Sequence, residues 1–227
     1  MNRSRIGILA SIGLLACVAA VRCDNFAVLS QTAVVQDMRL PFPVGEKLIY
    51  EIKLARFPLN VTLGHITFEY VGPSTERKIS GTSLDLGTEN TREMVRLKAE
   101  AVSKGFLVTL FGINVHDRFE TLVERADFSA RLSLREEDEG KKNLAKTTLL
   151  EPEVKLVKYK VLDLNKPEGP PRLVELPLKP RMQSLLSAIY YFRTFELADD
   201  QVVCFPVSED GENHEFEILV RGREAAQ

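Results

Sequence analysis

Hydrophobic and polar residues alternate with a period of two along most of the chain beyond residue 43, which predicts β-strands that bury one face. The first clear strand follows Gly45. Its apolar positions are Leu48, Tyr50, Ile52 and Leu54, and its charged positions are Lys47, Glu51 and Lys53. Because successive side chains in a strand point to opposite faces, the apolar set is expected to face the core and the charged set to face water.

The alternation changes phase within the second strand. Val61 and Leu63 hold one phase, whereas the apolar positions beyond Gly64 hold the opposite one. Those positions are Ile66, Phe68 and Tyr70. Glycine is common where a strand bulges or bends sharply, and a bulge changes which side chains share a face. Gly64 is therefore predicted to lie at a β-bulge.

Further strands are predicted where short alternating segments are separated by turn residues. They cover residues 78–86, 93–102, 106–111, 115–124, 128–136, 142–150, 154–163, 172–176, 201–207 and 214–221. Connections such as residues 103–105 and 139–140 are short enough for hairpins and too short for the crossovers of a parallel sheet. The sequence predicts a mainly β fold, built as a single antiparallel curved sheet, an open or closed barrel, or a sandwich.

One segment has helical periodicity. Ser184 is a suitable helix N-cap, and Leu185, Ile189 and Phe192 recur at three- and four-residue spacing. One long helix is predicted over residues 184–195. In a β protein such a helix has to cover something, either as a plug that completes the core or as a lid over a ligand.

The amino terminus is typical of an export signal, because Arg3 and Arg5 precede an uncharged run over residues 6–21. At ~1.5 Å per residue this run is short for a bilayer span, which favours export over a transmembrane helix. The protein is expected to be exported, as a secreted or periplasmic domain.

Two endings of the signal are compatible with the sequence. Small residues at Ala19 and Ala20 suit cleavage by signal peptidase, whereas residues 14–17 resemble a lipobox in which Cys17 takes a lipid anchor. The predicted organisation is a signal over residues 1–20, an arm over 21–40 and a β domain over 41–227.

Composition and charge narrow the function classes. The 227-residue chain has a formal net charge of −2, with acidic and basic residues interspersed. This balance disfavours a surface for nucleic acid or for an anionic membrane. The densest charged segment, residues 135–142, is predicted to be the solvated end of a hairpin.

Two cysteines remain beyond the signal, Cys23 and Cys204. In an oxidising compartment they can form a disulfide, worth ~2–4 kcal/mol, or they can stay as separate thiols. Neither has the short spacing to another cysteine that zinc and redox sites need, so no metal or cofactor is predicted.

The histidines give no catalytic constellation. His116 lies on the polar face of its predicted strand, His214 is expected to be half-buried and structural, and His65 follows the predicted bulge. The chain has no nucleophile elbow, no zinc-protease helix and no phosphate or calcium loop. The protein is predicted not to be an enzyme.

Several segments together resemble a known family. They are residues 43–52, 64–68, 183–193, 205–207 and 220–224. With the motifs G-E-x-L-x-Y and S-A-x-Y-Y-x-R, they resemble the bacterial exported proteins grouped as domain of unknown function 3108, over residues 41–224. The resemblance implies an exported, mostly antiparallel β domain of a bacterium, periplasmic or associated with the outer membrane, and supplies no catalytic residues.

The chain departs from that family pattern at two places. Members often have an aspartate at the position of Ser184, which argues against a functional role for that position. Members usually also continue with further strands beyond residues 222–224, so either this chain is a truncated product or its last strand is an unpaired edge that a partner can cover.

The leading functional hypothesis is a binding module for an apolar or lipid-like ligand, or for a partner strand at the carboxy-terminal edge, in the cell envelope. Its candidate ligand-binding residues are Tyr50, Phe68, Phe119 and Tyr190. The same aromatic residues are also compatible with an ordinary core. The alternatives are an assembly protein of the envelope without a small ligand and, third, an envelope hydrolase.

Overall fold

The computed structural model describes residues 40–56, 59–75, 79, 93–104 and 114–222. The strands in that part of the chain are β1 (Lys47–Arg56), β2 (Leu59–Ser74), β3 (Met94–Ser103), β4 (His116–Glu124), β5 (Ala130–Glu139), β6 (Lys142–Glu151), β7 (Leu156–Asp163), β8 (Arg172–Pro177), β9 (Val202–Glu209) and β10 (Glu212–Leu219). The helix there is α1 (Leu185–Phe192). The predicted signal, Cys17, Cys23, most of the predicted strand 78–86 and all of 106–111 lie outside the described residues.

Strands β1 to β8 form one sheet in chain order, each antiparallel to the next, and β9 and β10 form a separate hairpin. The mainly β, antiparallel prediction is confirmed. The sheet is not closed, so β1 and β8 are its two edges and a closed barrel was the wrong alternative.

The strand register confirms the shared face of the first strand. Leu48 pairs with Phe68, Tyr50 pairs with Ile66, and Ile52 pairs with Gly64. We call the side of the sheet that packs against α1 the helix face, and the other side the outer face. Tyr50 and Ile52 lie on the helix face but at its uncovered end, where they are 54% and 38% exposed.

The predicted bulge is present. The register between β1 and β2 shifts after Ile52, which pairs with Gly64, to Lys53, which pairs with Thr62. Leu63 is the extra residue. Because of this extra residue, the side chains of Val61 and Ile66 lie on the same face of the sheet although their positions in the sequence differ by an odd number. This explains the change of alternation in the sequence.

Both faces of the sheet are buried at its centre. The outer face holds a second apolar cluster of Ile79, Met94, Leu122, Leu132 and Leu134. Beside it, buried Arg96 pairs with Glu120 and buried Arg131 pairs with Glu124. The outer face is therefore covered at β3 to β5, whereas in β1 both faces are exposed around Tyr50 and Ile52, so the expected burial of these two residues is not seen.

Helix α1 begins with a reciprocal cap. The backbone N–H of Ser187 donates to the Ser184 hydroxyl at 3.1 Å, and the N–H of Ser184 donates to the Ser187 hydroxyl at 2.9 Å. A contact of 3.1 Å between the hydroxyls of Ser184 and Thr121 also ties this end to β4. The helix ends at Phe192 instead of Phe195, because the next N–H groups bond to carbonyls three residues back, as in a tightened last turn.

Helix α1 contributes to the main core, which fits the plug, one of its two predicted roles. Its buried residues join β2, β3, β4 and β9 in the main core, which also contains Phe42 from the segment before β1. The buried members of this core from the helix are Leu186, Ala188, Tyr190 and Tyr191. In the described part of the chain, no helix has the length and apolar character that crossing a bilayer requires.

Candidate functional site

Three of the four predicted ligand-binding aromatics are neighbours on the helix face. The rings of Tyr50 and Phe68 meet edge to face, with centroids 5.9 Å apart. Phe68 and Phe119 both pair with Ala99, one from each side of β3. Phe68 and Phe119 are half-buried against the main core, whereas Tyr50 is mostly exposed. Together these three side chains form an apolar strip that leads from the edge strand into the sheet.

Tyr190 lies deeper than the others. It is fully buried, and its ring centroid is 5.2 Å from that of Phe42 and 6.4 Å from that of Tyr70. Within the described part of the chain its hydroxyl has no hydrogen-bond partner, and burial raises its pKa. Tyr190 is a core residue here, and its contact with a ligand stays a prediction.

Removing the Tyr190 hydroxyl should not destabilise the fold. A buried hydroxyl without a partner costs on the order of 1–3 kcal/mol, so Tyr190→Phe is expected to leave the free energy of unfolding unchanged or raise it by about 1 kcal/mol. Tyr159→Phe is the matched control, because the buried Tyr159 hydroxyl donates to Asp210 at 3.2 Å. That variant should lose about 1 kcal/mol. Urea unfolding of the full chain measures both, and an equal loss in the two variants would contradict the expectation.

The ion pair between Arg193, just after α1, and Glu46, just before β1, is called the arginine clamp. Arg193 donates to both carboxylate oxygens of Glu46, at 2.6 and 2.9 Å. Its guanidinium also lies 5.0 Å from the Phe42 ring centroid and 5.5 Å from that of Tyr190. The hydrogen bond from Arg193 holds the pKa of Glu46 below its usual range. The clamp fixes one end of the core next to the apolar strip.

A second group of polar side chains lies on the helix face at the other end of the strip. We call it the charged cluster, and its members are Asp117, Arg135, Glu137, Glu139, Lys142, Lys146, Glu209 and Asp210. They come from β4, β5, β6 and the hairpin β9–β10. The cluster holds five carboxylates and three cations. Its net charge with every group ionised is therefore negative.

Arg135 is at the centre of this cluster. Its Nε lies 2.9 Å from Oε1 of Glu137, and its terminal nitrogens lie 3.5 Å from Asp117 and 3.7 Å from Glu209. The guanidinium also stands 5.0 Å from the centroid of the Phe119 ring. Arg135 therefore links the charged cluster directly to the apolar strip.

Glu137 is the most buried carboxylate of the cluster, at 1% exposure. It is compensated by Lys142 and Lys146, whose ammonium nitrogens lie 2.5 and 2.6 Å from its two oxygens. Burial raises its pKa, but the two lysines and Arg135 outweigh burial and hold the pKa of Glu137 below its usual range. Glu137 is thus a fully paired structural charge.

Asp117 differs from Glu137. It is 3% exposed, its Oδ2 has only the 3.5 Å contact with Arg135, and its Oδ1 accepts no hydrogen bond from any described residue. Burial raises the pKa of Asp117, and the attraction of Arg135 offsets this only in part. A buried carboxylate oxygen without a donor is costly, which makes Asp117 the candidate binding group of the cluster.

The β9–β10 turn holds the hairpin on the sheet. Asp210 and Gly211 both have positive φ, 52° and 79°, which matches the turns that join twisted strands. The Asp210 carboxylate lies 2.6 Å from the ammonium of Lys146, and Gly211 rests on the ring of Tyr159. The turn therefore covers the β6 and β7 side of the charged cluster.

The solvated-hairpin interpretation of residues 135–142 was wrong for two of its members. Arg135 and Glu137 point to the helix face and are largely buried, because the β9–β10 hairpin covers them. The signal in the sequence that could have indicated their burial is the period-two spacing within the charged run. It separates Arg135 and Glu137 from Glu136 and Asp138, which lie on the outer face.

The remaining predicted positions lie apart from both groups. The exposed side chain of Cys204 is on β9, and pairing with Cys23 stays a prediction because Cys23 is outside the described residues. His116 contacts Glu100 at 2.6 Å on an exposed part of the outer face. Over the described ranges, no set of three or more histidine, cysteine, aspartate or glutamate side chains is arranged to hold a metal ion.

The fold and site define a class of protein: an open antiparallel sheet with a helix plug, an apolar strip at one edge and a covered charged cluster. The family model described as protein of unknown function (DUF3108) matches residues 66–227, and the chain belongs to that family. No curated protein and no solved structure matches the chain.

Proposed function

We propose that the protein is a non-enzymatic binding module of the bacterial cell envelope that holds an apolar or lipid-like ligand on the helix face, beside β1. The observation that supports this most directly is the apolar strip. It starts at exposed Tyr50 and continues through half-buried Phe68 to Phe119 without a charged side chain between them on that face. The export signal predicted over residues 1–20 would direct the protein to the cell envelope.

The position of the strip favours a ligand over simple core packing. Tyr50 and Ile52 lie on an edge strand and stay exposed although they face the side of the sheet that holds the core. A ligand that covers exposed apolar side chains gains ~25 cal/mol of binding free energy for each Å² of apolar surface removed from water. An apolar chain laid along the strip would cover both residues and reach Phe119.

A fluorescence titration tests this proposal with N-phenyl-1-naphthylamine, a neutral apolar probe. Tyr50→Ser and Ile52→Ser should each weaken probe binding by roughly tenfold, because each removes apolar contact area. Ile49→Ser is the matched control. Ile49 is 67% exposed on the same strand but faces the outer side.

The result would contradict the proposal if Ile49→Ser weakened probe binding as much as Ile52→Ser did, or if the wild-type chain did not bind the probe. Native mass spectrometry of protein purified from membranes should in addition show a retained lipid. Bare polypeptide in repeated preparations would count against a lipid as the natural ligand.

An assembly role is the second candidate, and one observation favours it. Among the described strands β1 and β8 are the edges of the sheet, and Leu173 on β8 is 69% exposed. The β10 edge fits a partner strand less well, because charged Glu212, Glu215 and Glu217 are exposed along it and charged edges disfavour strand addition. The same native mass spectra distinguish this role, since assembly predicts protein complexes instead of bound lipid.

A further inference from the structure

We propose that the ligand of the apolar strip carries a protonated amine head group, which Asp117 binds through its Oδ1 oxygen. This inference rests on the proposed function and specifies the chemical class of the ligand: an amphipathic cation. Three independent observations support it, namely the placement of Asp117 in the sheet, the charge of its surroundings and its missing hydrogen bond.

The strand register aligns Asp117 with the exposed end of the strip. Tyr50 pairs with Ile66, Ile66 with Ala101, and Ala101 with Asp117, so the four residues form one row across β1 to β4 on the helix face. Adjacent strands lie about 4.8 Å apart, so the row spans about 14 Å. This distance is short enough for one extended alkyl chain to reach from exposed Tyr50, past buried Ile66 and Ala101, to Asp117.

Phe119 continues this path along β4. It lies two residues from Asp117 on the same face, and its half-buried ring contacts the guanidinium of Arg135. The change from apolar to charged lining therefore occurs between Phe119 and Asp117. This polarity gradient suits a ligand with an apolar chain and a charged head.

The charge of the cluster selects the sign of that head group. The cluster contains five carboxylates and three cations. With every group ionised, a bound cation reduces the net negative charge of the cluster, whereas a bound anion increases it. Arg135 would repel an ammonium, but its charge is shared among Asp117, Glu137, Glu209 and Asp210 at 2.9 to 3.9 Å. Lys142 and Lys146 are paired with Glu137 at 2.5 and 2.6 Å.

Asp117 is the carboxylate that still needs a donor. Its Oδ1 is buried and accepts no hydrogen bond from the described residues, whereas an ammonium supplies three donors. A carboxylate that costs stability in the free protein and gains a partner in the complex is a common arrangement in binding sites. Asparagine at this position would keep the shape and remove the charge.

Isothermal titration of the full chain with dodecylamine, dodecanol and dodecanoate tests the inference, because the three ligands share one chain and differ in the head group. Wild-type protein should bind dodecylamine roughly tenfold or more tightly than dodecanol, and dodecanoate least. Asp117→Asn should reduce amine affinity to the level of the alcohol and leave dodecanol binding unchanged. Its melting temperature should stay the same or rise.

Glu136→Gln is the matched control, since Glu136 is the neighbouring carboxylate on the outer face, paired with Arg118 at 2.9 Å. It should leave all three affinities unchanged. If dodecanol binds wild-type protein as tightly as dodecylamine, the proposed binding function stands but the inference of an amine head group is wrong. This comparison uses the wild-type protein alone. If Asp117→Asn retains the preference for the amine, Asp117 is not its partner. If none of the three ligands binds, the proposed function fails and this inference fails with it.

Discussion

Phe128→Ala is expected to lower the free energy of unfolding by about 4 kcal/mol, the largest effect among the single substitutions considered for this chain. Phe128 is fully buried in the main core. Its ring stacks on that of Tyr191 at 6.3 Å and meets the edge of Phe42 at 6.1 Å. Alanine removes both ring contacts and leaves a cavity between α1 and the turn before β5.

The backbone at this position allows a sharper test. Phe128 has φ of 58°, a left-handed conformation that favours glycine over any residue with a Cβ by about 1 kcal/mol. Phe128→Gly should therefore be less destabilised than Phe128→Ala by about that amount, although glycine is the smaller residue. Urea unfolding of both variants gives the difference. A glycine variant that is equal to or less stable than the alanine variant would show that the turn relaxes its backbone in the mutant.

Much of the sheet could be predicted because alternation is a local property. Leu48, Tyr50 and Ile52 share a face in the structure because their spacing fits the pleat, whatever the rest of the chain does. The phase change at Gly64 and the serine cap of α1 are also local, so both were visible in the sequence. Among the described elements, predicted and observed bounds differ at the ends, for example where Phe128 lies in the turn before β5 and where the helix tightens after Phe192.

The charged cluster could not be predicted in the same way, because it depends on contacts between distant segments. Glu209 and Asp210 reach Arg135 only through the docking of the β9–β10 hairpin, and alternation gives no information on which loop covers which strand. The same limit applies to the clamp between Glu46 and Arg193, which are 147 residues apart in the sequence. Sequence periodicity, in strands or helices, indicates the face of a residue but not its depth. The predicted ligand-binding set therefore contains both Tyr190 and Tyr50, although one is fully buried and the other mostly exposed.

Gly64→Ala is the second prediction with a large effect, and its cause is space. Gly64 has no left-handed φ, so its conformation is open to any residue. A Cβ at this position would lie 2.3 Å from the carbonyl oxygen of Val102 and 3.0 Å from Cα of Ser103. Both atoms belong to the backbone of β3, which cannot move without breaking its pairing with β2 and β4. The expected loss is about 3 kcal/mol of unfolding free energy.

Gly45→Ala separates this steric effect from the general cost of replacing glycine. Gly45 has φ of 81° and no heavy atom within 4 Å of an added Cβ, so alanine there should cost only about 1 kcal/mol. Urea unfolding compares the two variants, and equal losses would show that the β2–β3 pair absorbs the extra carbon. The bulge lies directly opposite Ile52, which pairs with Gly64 at the exposed end of the strip, so a strained bulge should disturb the proposed site. Under native conditions Gly64→Ala should therefore weaken binding of N-phenyl-1-naphthylamine, whereas Gly45→Ala should not.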